Sequence, residues 1–467
     1  MGRCVTPLAH KLATLPPMRA SLPRLAALAL ALLSLPLAHG SPSRWLMACG
    51  EEPPPTLSGR YSTGASGDMP PIDDLVALGR QIFHDPGLSA SGQQSCASCH
   101  APARAYGPDN HRAVQPGGPQ LNQQGYRATP SLRYVHAPLP FTTQHVDLND
   151  RPDGRAVPAG GRTWDGRVND ARQQALMPLL DPKEMANRDL HEVVQRLRLA
   201  PYAAAFDALL SPPGTHILDD EDGAISWLTT ALMFYEQSAE DFHPFTSQYD
   251  DYLRGRARLS PGAIRGLKLF GDPQRGNCAS CHPIDAVSAT VPYPRFTDFE
   301  FSALAAPRNP EIAANRDPRF HDLGLCGPAR RDLRDQARYC GMFRAPTLRN
   351  VAIKRRFFHN GVFHSLSEVL DFYATRETSP ARWYGRDAQG RPRRYNDLPR
   401  AFHGVVEQGA PFKPDRHGQP RLSPQDRRDI IAFLRTLTDG HVPTQPTMLM
   451  QIDAHPADDI AIGATPD

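Results

Sequence analysis

The chain has 467 residues, enough for two or three domains, each with a core of its own. Lys and Arg number 52 against 49 Asp and Glu, so net charge argues against a nucleic-acid partner and against binding to an anionic membrane. The 48 prolines and 35 glycines predict long loops without reaching the composition of a disordered chain.

Lys11, Arg19 and Arg24 precede an apolar run from Leu25 to Ala38. That run is too short to span a bilayer comfortably but suits the core of an export signal, and small residues at Ala38 and Gly40 allow cleavage near Ser41. Residues 1–40 therefore read as a signal peptide. The mature protein reads as periplasmic, with no stable membrane insertion. Lipid anchoring at Cys49, within Leu46-Met47-Ala48-Cys49, is a minor alternative, because Arg44 and Trp45 separate that string from the apolar run. Apolar spacing then predicts an amphipathic helix over 72–83 and another over 225–235. Two more begin with Ser before Pro: one at Ser260-Pro261 running to Phe270, one at Ser423-Pro424 running to Leu437. The polar, Pro-rich stretches 101–127, 284–320 and 377–421 read as loops, and 441–467 as a flexible tail. The expected fold class is mainly α.

The chain repeats itself. Gly79-Arg80-Gln81-Ile82-Phe83-His84-Asp85-Pro86 is echoed by Gly266-Leu267-Lys268-Leu269-Phe270-Gly271-Asp272-Pro273. Cys96-Ala97-Ser98-Cys99-His100 is echoed by Cys278-Ala279-Ser280-Cys281-His282, and Arg127-Ala128-Thr129-Pro130-Ser131-Leu132 by Arg344-Ala345-Pro346-Thr347-Leu348. Thr163-Trp164-Asp165-Gly166 is echoed by Phe358-His359-Asn360-Gly361. Four landmarks in one order predict two related domains, 71–245 and 246–440.

In Cys-x-x-Cys-His each residue has a separate role. The two thiols add to haem vinyl groups, and the adjacent His reaches the iron. The sequence thus predicts two covalent haem c groups, attached through Cys96 and Cys99 and through Cys278 and Cys281, with His100 and His282 as proximal ligands. A shared zinc site is the competing reading. Against it stand the export signal, the His after each pair and the long separation of the pairs. Cys326 and Cys340 are either a disulfide or two buried thiols; their spacing does not decide. Function depends on the opposite face of each iron: two protein ligands make an electron carrier, and an open side binds peroxide or dioxygen. Fourteen residues after Trp164 stands Pro178, which cannot ligate. Fourteen residues after His359 stands Tyr373, which can. An ordinary helix-core aromatic is the competing reading of Tyr373, and Met342 is the alternative ligand.

These landmarks resemble the bacterial di-haem cytochrome c peroxidase and MauG family over about 71–440. The resemblance implies two cytochrome c-like haem domains, peroxide reacting at the N-terminal haem and electrons relayed by the C-terminal one. Trp164-Asp165-Gly166-Arg167 resembles the motif whose Trp lies between the haems, with Arg167 and Pro178 against the first haem. Gln174, Pro178 and Glu184 follow Trp164 at the family's intervals. This implies Glu184 as the acid/base beside peroxide, with Gln174 in the same pocket. A carboxylate there can take a proton from one peroxide oxygen and deliver it to the other; a surface salt-bridging Glu is the competing reading. The position of Tyr373 is Met in the classical peroxidases and Tyr in MauG, which implies a tyrosine-ligated second haem.

The sequence also departs from the family. Pro116 stands where the classical peroxidases carry a distal His, and His111 is out of register, so no reductively triggered loop change is expected. Ala128 replaces the Asn of the family's calcium site, and Lys354 and Arg356 occupy two further positions there; these cations disfavour calcium. The expected protein is a di-haem peroxidase or oxidase using H2O2, with a small redox carrier or a protein substrate as electron donor and no nucleic-acid partner. The alternative is a non-catalytic di-haem electron-transfer cytochrome.

Overall fold

The structure, a computed structural model, describes residues 69–135, 138–146, 156–285 and 293–443. The expected signal over 1–40, Cys4, Cys49 and residues 444–467 lie outside them.

Leu75, Leu78, Ile82 and Phe83 form one buried face of the helix Ile72–His84, with Asp73 and Asp74 in its first turn, where the helix dipole favours acids. This helix crosses Glu221–Glu236, capped by Asp220 through the Gly223 amide. Gly79 permits the crossing: a Cβ there would sit 2.1 Å from the Ala231 carbonyl oxygen. The second half repeats the arrangement. Pro261–Gly271, capped by Ser260, packs on Pro424–Arg435, capped by Ser423. A Cβ on Gly266 would lie 2.0 Å from the Asp429 carbonyl oxygen. Each crossing anchors a core of its own, one drawn from residues 75–242 and one from 249–437.

The duplication persists into the backbone. Thr163 and Phe358 both have positive φ (69° and 67°), as do Gly166 and Gly361 (62° and 63°). Arg162 bridges to Val168 as Phe357 does to Phe363. The Ser131 hydroxyl accepts from the Arg133 amide, and the Thr347 hydroxyl from the Arg349 amide, both at 3.1 Å.

The described residues are mainly helical, with three two-stranded ribbons pairing 116–117 with 123–124, 142–145 with 157–159 and 301–302 with 343–344. The four predicted helices form, 225–235 extended to 221–236 and the last ending at Arg435. Helices Ala171–Leu180, Leu190–Arg198, Ala203–Leu210 and Leu366–Thr375 were not predicted. The stretch 377–421 is irregular apart from Pro380–Tyr384 and the 3-10 turn Arg400–Val405. The fold extends past Gly440: the His441 amide donates to the Thr246 carbonyl (2.9 Å), and Nδ1 lies 2.8 Å from an Asp251 carboxylate oxygen.

Cys326 and Cys340 are disulfide-bonded and hold a small cluster with Phe301, Leu325, Leu333 and Tyr339. This cluster reaches the N-terminal half: Arg330 lies 3.6 Å over the Phe141 ring and donates to the Asp165 carbonyl. No helix among the described residues is long and apolar enough to cross a membrane.

Candidate functional site

A capping box between Ser95 and Ser98 starts the short helix Cys96–Cys99, and His100 leaves it with Nδ1 3.0 Å from the Tyr106 carbonyl oxygen. A carbonyl only accepts, so Nδ1 carries the proton and the Nε2 lone pair is free for a metal. Burial pushes the His100 pKa down to about 4, which keeps the ring neutral. Cys278, Cys281 and His282 repeat the design: Nδ1 of His282 lies 2.8 Å from the Phe296 carbonyl oxygen, and burial lowers its pKa to about 4.

Cys96, Cys99 and His100 open onto a cavity of about 290 Å³. Trp164, Arg167, Gln174, Pro178 and Glu184 line it as well, so every residue assigned from sequence to the first haem faces one space. Gln174 and Pro178 are on the helix Ala171–Leu180, started by Asp170 accepting from the Arg172 amide at 2.7 Å. Glu184 follows in a tight turn, its amide donating to the Asp181 carbonyl and its carbonyl accepting from Gly118, both fixed by close backbone packing of Gly117 on Lys183. The protein around the Glu184 carboxyl raises its pKa to about 7; Asp181 adds to the rise, and Arg167 opposes it. Glu184 makes no salt bridge among the described residues. Pro116 lines the same cavity and offers no ligand, while His111 is exposed.

Trp164 is held rigidly. Its indole N–H donates to the Ala128 carbonyl (2.7 Å), and the Ala128 amide donates to the carbonyl of His359 (2.6 Å). One residue thus ties together the two landmark positions of the repeat. Asp165, behind Trp164, is fully buried; burial would raise its pKa, but Arg127 and Arg167 outweigh that and hold it at about 2. Arg127 also forks onto Asp322 of the second half at 2.7 and 2.8 Å. His359 stacks on Phe343, ring centroids 3.5 Å apart.

On the second side, Tyr373 packs among Phe358, Phe372 and Phe412 close to Cys278 and Cys281. Its hydroxyl has no hydrogen-bond partner among the described residues, and burial pushes its pKa up. A phenol so placed needs a cation to ionise. Met342 instead packs against the disulfide cluster.

Three lining residues of the first cavity escaped sequence reasoning. Arg162 is buried and Arg344 half-buried; neither makes a salt bridge among the described residues, Arg162 Nε is unbonded, and Arg344 donates to the Gly161 carbonyl. Glu236, from the end of Glu221–Glu236, is raised to about 7 by burial, with Arg162 opposing. A haem fits this donor set. Thiols and a neutral imidazole line the cavity, and two guanidiniums without a salt bridge would match the haem's two carboxylates. Arg344 could have been found, since it opens the second copy of the Arg-Ala motif. Its repeat partner Arg127 is engaged by Asp165 and Asp322. Ala128, Lys354 and Arg356, the positions that the resemblance implies for calcium, line a gap of about 20 Å³ together with Arg104, Arg112 and Arg355 and no carboxylate. Burial lowers Lys354 to about 8.

The family model for di-haem cytochrome c peroxidase matches residues 73–258. Methylamine utilization protein MauG of Paracoccus denitrificans is 37% identical over 321 residues, 67% of this chain and 77% of that protein. Cytochrome c551 peroxidase of Nitrosomonas europaea is 26% identical over 350 residues, covering 74% and 83%. Among solved structures, the diheme peroxidase BthA from Burkholderia thailandensis aligns with a TM-score of 0.68 at 37% identity, over 80% of this chain and 88% of that one.

Proposed function

The chain belongs to the di-haem cytochrome c peroxidase and MauG family of oxidoreductases, and from that premise we propose that it is an exported periplasmic enzyme reducing H2O2 at the cavity of His100, with electrons arriving through the site of His282 and Tyr373. The observation that carries this reading is the convergence of Cys96, Cys99, His100, Trp164, Gln174, Pro178 and Glu184 on one cavity with two arginines that make no salt bridge among the described residues. Haem bound there supplies the redox-active iron. Reduction of H2O2 to two waters consumes two electrons and two protons.

The protein's own groups handle the protons and the geometry. Nδ1 of His100 is locked on the Tyr106 carbonyl, so the ring presents Nε2 in one orientation. Pro178 lines the cavity with a side chain that cannot ligate, which would leave room for a small substrate. Glu184, near pKa 7, can accept a proton from one peroxide oxygen and release it to the other. Arg162 and Arg344 would hold the carboxylates of the group. Trp164, clamped by Ala128, would relay electrons between the two sites. Tyr373 would supply a hard anionic oxygen on the second side, which would favour oxidised iron.

Attachment is covalent in this reading. Pyridine haemochrome analysis should return two haems per chain, and Cys96→Ala with Cys99→Ala one. Haem extractable by acidic solvent would contradict it. Turnover itself is tested by steady-state assay with H2O2 and a panel of reduced carrier proteins: peroxide-dependent oxidation of a carrier is expected, and its absence across the panel would favour the non-catalytic carrier.

A further inference from the structure

The helix Leu366–Thr375 carries Tyr373, and the chain leaves it into a loop rich in arginine. Between Pro380 and Arg394 stand Arg382, Arg386, Arg391, Arg393 and Arg394 against one carboxylate, Asp387, and all five arginines are exposed. Three of them are answered locally: Arg391 by Asp387 at 2.8 Å, Arg382 by Asp371 at 2.9 Å, and Arg394 by Glu377. Arg386 and Arg393 have no carboxylate within 4.0 Å among the described residues. The Arg393 amide bonds the Gly385 carbonyl (3.0 Å), and Arg386 bridges to Pro392, so the two residues stand on adjacent arms of the backbone at one exposed spot.

Trp383 lies two residues before that spot. It is half-buried, with the Arg382 guanidinium 4.4 Å over its ring. Its indole N–H donates to Thr375 Oγ1 (3.1 Å), and its ring meets Phe372 edge-on at 5.5 Å. Phe372 is 6.3 Å from the Tyr373 ring. Packed aromatic rings thus run from the arginine-rich surface to the side chain facing the second site. Arg386 donates to the Gly390 carbonyl (2.7 Å) and Arg393 feels the charge of Asp387, but the loop keeps an excess of positive charge, which attracts a negative surface.

We propose that the 380–394 loop is the docking surface for an acidic electron-donor protein, which passes its electrons inward past Trp383. Each encounter oxidises the donor by one electron and reduces the site of His282 by one; two encounters supply what one H2O2 consumes. The proposal rests on electron entry at the second site. The test compares H2O2-dependent oxidation of three reduced donors by the holoprotein and by the Arg386→Glu, Arg393→Glu double variant. The donors are an acidic cupredoxin, a basic monohaem cytochrome c and neutral hydroquinone. At low salt the acidic donor should be oxidised faster than the basic one. Its rate should fall about tenfold or more in the variant and on adding salt, the scale of electrostatic steering, with hydroquinone unchanged. Hydroquinone turnover combined with no effect of the variant on the acidic donor, or with a faster basic donor, overturns the docking surface alone. No turnover with any donor, hydroquinone included, overturns electron entry and the docking surface together.

Discussion

Glu184→Gln is expected to lower the rate of reaction with H2O2 by roughly 10² or more, the lower end for a positioned acid–base group, with haem content unchanged. The amide keeps the shape of the side chain and removes its ability to take up a proton. The carboxyl has a pKa of about 7 because the cavity wall desolvates it and Asp181 repels its charge. To accept a proton it must be ionised, so the rate should rise as pH increases through about 7 and level off above. In the variant that inflection should vanish. Glu236 complicates the profile, since it lines the same cavity with a pKa of about 7. An inflection that survives in Glu184→Gln and disappears in Glu236→Gln would move the acid–base role to Glu236. Stopped-flow rates on the two sides of neutrality separate the two.

Tyr373→Phe is expected to convert the second haem from low spin to high spin and to raise its reduction potential by more than about 59 mV, a tenfold change in a one-electron equilibrium. The substitution deletes one oxygen and leaves the stacking on Phe412, with centroids 5.0 Å apart, available to the new ring. A structural defect would therefore be small, and the spectral change would report ligation. A phenolate stabilises ferric over ferrous iron, so its loss moves the potential upward. Replacement by Met342 is disfavoured by that residue's packing on the disulfide cluster. An unchanged low-spin EPR signal with an unchanged potential would reduce Tyr373 to a core aromatic and leave the general di-haem peroxidase reading in place.

What was legible in the sequence was what local chemistry dictates. The Cys-x-x-Cys-His strings, the Ser-Pro helix starts and the repeated landmarks each state their purpose within a few residues, and Thr163 and Phe358 even share their backbone conformation. Helix 171–180 was not legible. Its apolar residues follow no clear helical stripe, because Gln174 and Pro178 are turned toward a cavity, and a Pro inside a helix speaks against one. The charges of the first cavity were hidden for a different reason. Arg162, Glu236 and Arg344 come from three distant segments, and only the fold brings them together. Nor does spacing reveal whether two cysteines are bonded; the pairing of Cys326 with Cys340 depends on how the chain between them turns back.

The central claim is an asymmetry: one site open behind Pro178, the other closed by Tyr373. The most direct measurement is the EPR spectrum of the resting ferric holoprotein, read with its optical spectrum. One high-spin and one low-spin haem in equal amounts is the predicted result, the low-spin signal being the one lost in Tyr373→Phe. Two low-spin haems, neither shifted by H2O2, would contradict it and make the protein an electron carrier.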